Sequence, residues 1–74
     1  MGTRPSFERI GAAIRKRREA VGHSQESFAD KISMHRTYYS AIERGEQNVT
    51  LETLERVCKG LGAKMWEVFK DAGE

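Results

Sequence analysis

The chain is poor in the residues that would mark most other kinds of protein. Its 74 positions hold one cysteine, one proline, three phenylalanines, two tyrosines and one tryptophan. A single cysteine makes no internal disulfide, and Cys58 with His23 and His35 is too few ligands for a structural zinc. No apolar run approaches the ~18 residues of a membrane-spanning helix, and the N-terminus lacks the apolar stretch of a signal peptide. A cytoplasmic chain is expected. The opening Met1-Gly2-Thr3-Arg4-Pro5-Ser6 meets the loose myristoylation pattern, but nothing else suggests a lipid anchor. No segment alternates apolar and polar residues between hairpin turns, so no sheet is expected. Paired acid and base groups, an activated nucleophile, a phosphate-cradling glycine loop and a metal cluster are all missing. The chain is therefore expected not to be an enzyme, with no cofactor and no small-molecule ligand evident.

Length sets the scale. A chain this short forms one domain, residues 1–74, and buries only about 60% of the surface its unfolded form exposes. Its core supplies roughly 3–5 kcal/mol, which favours helical packing or a partner chain. The net charge is only +2, but it is unevenly spread. Residues 1–44 hold nine basic and five acidic residues; residues 45–74 hold four basic and six acidic. A basic first part suits an anionic partner, although a solvated charged helix face explains charge alone equally well.

Punctuation at Pro5, Gly22, Ser33, Gly45, Gly62 and Gly73 leaves room only for short helices. Phe7, Ile10, Ala13, Ile14 and Val21 recur at helical spacing and predict a first helix over about 6–21. Arg17 falls at the edge of that stripe, where its stem should lie along the core. Ser24 should cap a second helix over 25–32, with Phe28, Ala29 and Ile32 inward. After the turn Ser33-Met34-His35 a third helix is expected at 36–44. There Tyr39, Ala41 and Ile42 point inward, and Arg36, Thr37, Tyr38 and Ser40 share the other side. Gly45 should close it in a left-handed conformation. Thr50 should cap a fourth helix at 51–60, with Leu51, Leu54, Val57, Cys58 and Leu61 on one face. A fifth at 64–70 carries Met65, Trp66, Val68 and Phe69. The fold class is all-α, a compact bundle of five helices, with loose ends at residues 1–5 and 71–74.

Two short helices joined by a three-residue turn, spanning about 25–44, have helix-turn-helix geometry. In such a unit the second helix enters the major groove by its N-terminal end and the first crosses the phosphates. Arg36 is then placed for base readout, since a guanidinium can meet guanine O6 and N7 with two hydrogen bonds. Thr37, Tyr38 and Ser40 join it as candidate base readers. Ser24 and Gln25 open the second helix, where backbone N–H groups attract a phosphate. Arg44, Gln47 and Asn48 follow the third helix as further backbone contacts, and Lys31 and Arg4 add weaker attraction. Cys58 reads as a small buried hydrophobe rather than a redox sensor.

The stretch Ser24-Gln25-Glu26-Ser27-Phe28-Ala29, then Met34, then Tyr39-Ser40-Ala41-Ile42-Glu43-Arg44-Gly45 resembles the Cro/repressor-like, or lambda-repressor-like, family. Thr50-Leu51-Glu52-Thr53-Leu54 and Leu61-Gly62 extend the resemblance over residues 7–70. Arg36-Thr37-Tyr38-Tyr39-Ser40-Ala41-Ile42-Glu43-Arg44 and Asn48-Val49-Thr50-Leu51-Glu52-Thr53-Leu54-Glu55 are most similar to the controller proteins of restriction–modification systems. The resemblance implies a sequence-specific regulator of transcription that binds a palindromic operator on double-stranded DNA as a homodimer. It also implies a structural ion pair between Arg18 and Glu43, a phosphate clamp at Gln25, and dimerisation through the C-terminal helix. Phe69 and Met65 would then face the core, leaving Trp66 and Val68, with Met65, at the dimer surface. An antitoxin-like protein-interaction module of the same fold is the alternative; antitoxins usually carry an extra segment for their target, and none is evident here.

Three departures from the family pattern bear on the third helix. Ser33 stands where the family has glycine, and a left-handed serine costs about 1–2 kcal/mol. His35 occupies the capping slot of Ser, Thr or Asp, so a weak or replaced cap is expected. Arg17 stands in place of a leucine.

Overall fold

Side-chain caps set the helix starts. A computed structural model describes residues 7–73; Arg4, Pro5 and the loose ends expected at 1–5 and 74 lie outside them. The helices are α1 (Phe7–Ala20), α2 (Gln25–Lys31), α3 (Arg36–Glu43), α4 (Leu51–Leu61) and α5 (Met65–Asp71), each end within one residue of expectation. The Ser24 hydroxyl accepts from the Ser27 N–H at 3.0 Å, and the Thr50 hydroxyl from the Thr53 N–H at 3.1 Å. Each satisfies a backbone donor that helix geometry leaves unpaired. None of these helices is long and apolar enough to cross a membrane.

The turn between α2 and α3 is where the sequence departed from its family. Ser33 is left-handed, with φ at 56°, as a glycine would be. Two contacts hold it there: the Met34 N–H reaches the Ala29 carbonyl at 2.8 Å, and Arg56 donates to the Ser33 carbonyl at 3.1 Å. The expected weak cap of α3 is corrected. His35 Nδ1 accepts from the Thr37 N–H at 3.1 Å, so the imidazole replaces the usual hydroxyl or carboxylate.

The core gathers Ile10, Ile14, Phe28, Tyr39, Ile42, Val57 and Val68, with Phe28 and Tyr39 rings 5.2 Å apart. Gly11 lets α1 lie directly on α3: a Cβ there would strike the Ile42 and Glu43 carbonyl oxygens. Some expected core positions are outside it. Phe7 begins α1, Val21 follows its end and Leu51 begins α4, and all three are exposed because their turns overhang the core.

The C-terminal helix differs most from expectation. Val68 is completely buried and Ala72 nearly so, while Met65 and Phe69 are half-buried. The inward row is therefore Met65-Val68-Ala72, a three-then-four spacing, and Val68 belongs to the monomer's own core rather than to a dimer surface. Residues 71–73 are docked instead of loose. Asp71 Oδ2 meets Arg17 Nε at 2.6 Å, so the arginine in place of leucine ties α1 to the end of α5.

Candidate nucleic-acid interface

Each residue of a helix is turned 100° from the last, and this arithmetic builds the outer face of α3. Arg36, Ser40, Arg44 and Thr37 fall within one 100° arc, and together they line a shallow open cleft. Arg36 stands at the N-terminal end of this arc, exposed, and forms no ion pair among the described residues. Tyr38 lies about 200° away from Arg36 by the same rotation. It does not line the cleft and is half-buried against the core, which corrects its placement beside the other three.

Behind the cleft lies a buried charge. Glu43 accepts from Arg18 Nε at 2.7 Å and Arg18 Nη2 at 3.2 Å, so the expected ion pair is present. Two further donors converge on it: the Tyr39 hydroxyl at 2.5 Å and Gln25 Nε2 at 2.9 Å. Burial alone would raise the Glu43 carboxyl, but these hydrogen bonds, Arg18's foremost, hold it below the usual carboxylate range. The bond to Glu43 likewise raises the Arg18 guanidinium. Burial, then the bond to Glu43, pushes the Tyr39 phenol well above its usual range. A carboxylate that would repel phosphate is thereby neutralised and turned inward. Tyr39 was expected only as core filler. Its spacing of four from Glu43 was the available signal for the hydroxyl contact.

Gln25, expected as a phosphate clamp, has one amide N–H committed to Glu43 and sits at the edge of the cleft. The Ser40 hydroxyl lies 3.3 Å from Gln25 Oε1, and Arg44 Nη1 lies 2.8 Å from the same hydroxyl. Arg44 also pairs with Glu46 at 3.0 Å. Ser24 caps α2 and remains exposed; Asn48 is exposed and Gln47 half-buried on the loop between α3 and α4. On the far side, Trp66 is 60% exposed on α5. Cys58 is buried, and burial raises its thiol against the opposing pull of Arg17.

Two short helices, a capped three-residue turn and an outward polar arc on the second helix define a helix-turn-helix domain. The chain belongs to the helix-turn-helix family, whose model matches residues 14–65. Within it, the chain belongs with the restriction–modification control proteins. It is 48% identical over 64 residues to the control protein C.MunI of a Mycoplasma species, covering 85% of this chain and 86% of that one. Among solved structures, the controller protein C.Esp1396I, a tetramer in complex with its natural 35 base-pair operator, superposes with a TM-score of 0.79. It is 33% identical, covering 92% of this chain and 95% of that one. The clp gene regulator ClgR of Corynebacterium glutamicum superposes with a TM-score of 0.87 at 34% identity, covering 90% of this chain and 86% of that chain.

Proposed function

We propose that the chain is a sequence-specific DNA-binding regulator of transcription, of the controller type, which binds a palindromic operator as a homodimer. The observation that carries this is the α3 face: Arg36, Thr37 and Ser40 exposed side by side, with the only nearby helix carboxylate withdrawn onto Arg18. In this role α3 enters the major groove. Arg36 reads guanine through two hydrogen bonds, with Thr37 and Ser40 touching neighbouring base edges. The N-terminus of α2, through Ser24 and Gln25, and the segment Arg44, Gln47 and Asn48 grip phosphates and set the register. The relative solved on its operator supports the same docking.

Dimerisation follows from α5. Trp66 leaves a large ring in water, with the half-buried Met65 beside it, and a second copy would cover both. A two-fold pairing sets the recognition helices roughly 34 Å apart, one turn of DNA. Binding alone carries the function, in the cytoplasm and without a catalysed reaction. Selection of bound sequences from a random DNA pool, with stoichiometry, tests it. An enriched palindrome holding two chains per site is expected; no enriched sequence would contradict it.

A further inference from the structure

The hydrogen bonds around Gln25 fix more than its position. An ionised carboxylate only accepts, so the face of the Gln25 amide towards Glu43 must be its NH2. Its carbonyl oxygen then points the other way, to Ser40, at 3.3 Å. An amide oxygen cannot donate, so the Ser40 hydroxyl proton is directed at it. Arg44 reinforces this from the opposite side, because a guanidinium only donates, and it reaches Ser40 Oγ at 2.8 Å. The proton of Ser40 is thus drawn to Gln25 while one of its lone pairs is taken by Arg44. What remains for a ligand in the cleft is a single lone pair.

We infer that Glu43, through Gln25, sets the hydrogen-bond polarity of the recognition surface, making Ser40 an acceptor that selects an exocyclic amino group. In the major groove those donors are cytosine N4 and adenine N6, whereas guanine O6 and thymine O4 are acceptors that Ser40 cannot serve. Gln25 is then a positioning residue for a base contact made by another side chain. The buried ion pair becomes part of specificity as well as of stability. This inference rests on the DNA-binding role proposed above.

The test begins with the sequence selected by the wild-type chain. The position at which Ser40→Ala relaxes preference identifies the base that Ser40 faces. Gln25→Met, which keeps length and leaves Glu43 in place, should relax the same position about five-fold, the worth of one hydrogen bond. The double variant should lose no more than either single one, since both remove one relay. A second arm uses the unaltered protein and so does not depend on any variant folding. Replacing the base at that position by an analogue without its exocyclic amino group should weaken wild-type binding about five-fold and leave Ser40→Ala unaffected. Additive losses at separate positions, or sensitivity to removal of a carbonyl instead of an amino group, would overturn the relay while leaving DNA binding intact. A pool with no enriched sequence would overturn the DNA-binding role and the relay with it.

Discussion

Arg18 and Glu43 stand 25 positions apart in the chain and meet at 2.7 Å, with 8% and 2% of their side chains exposed. Their pairing joins α1 to the recognition helix behind the surface that faces outward. Because Tyr39 and Gln25 also donate to Glu43, four hydrogen bonds converge on one carboxylate. The orientation of α3 is therefore set from within the domain.

Glu43→Ala should strand a buried guanidinium and cost roughly 3 kcal/mol. That is most of the stability available to a domain of this size, roughly 3–5 kcal/mol. Urea or thermal melting should show a largely unfolded variant at 37 °C. An unchanged midpoint would mean that Arg18 finds water or another partner.

The same carboxylate makes stability depend on pH. Its native value is lowered, so its contribution is complete above the unfolded carboxyl's ordinary value of about 4.3 and is lost as pH falls through the native one. Tyr39 has the opposite sign: its native value is raised, so its contribution is complete below about pH 10 and lost above it. Melting temperatures should fall at both extremes. Tyr39→Phe should flatten the alkaline limb, and an alkaline limb identical to the wild type would contradict the assignment.

Gly11→Ala reverses the usual helix preference. Alanine normally stabilises a helix interior by about 1 kcal/mol over glycine. Here the added methyl meets the carbonyl oxygens of Ile42 and Glu43, which are backbone and cannot rotate away. Overpacking of this kind costs about 1–3 kcal/mol, so the variant should melt lower. A higher melting point would show that α1 and α3 part freely.

Helix positions were legible in the sequence because Ser24, Thr50, Gly45 and Gly62 punctuate it by known chemistry. Which face each helix turns was less so. On α5 four apolar residues in seven positions left two inward rows open, and only packing on α1 selected Val68 with Ala72 over Phe69. Tyr38 was misplaced although rotation along α3 already turned it from Arg36. The close approach at Gly11, the imidazole cap at His35 and the Arg17 contact with Asp71 each join chain segments by geometry that spacing does not encode. Gln25 was legible as a site residue only through its helix-start position; its bond to Glu43 was not.

Trp66→Ala should weaken the homodimer while the monomer stays folded, since the ring is 60% exposed and the core row of α5 is untouched. Sedimentation at several concentrations should show monomer where the wild type is dimer. An unaltered dimer would place the interface elsewhere.

The most direct test of a base-reading α3 is the discrimination of Arg36→Ala between the selected operator and a scrambled duplex, measured at one salt concentration. Loss of a bidentate guanine contact should lower specific affinity by about 1–3 kcal/mol and relax preference at one base position, with non-specific binding reduced far less. A variant that binds both duplexes more weakly by the same factor would show that Arg36 touches phosphate alone. An unchanged ratio of specific to scrambled binding would contradict base readout by the N-terminal end of α3.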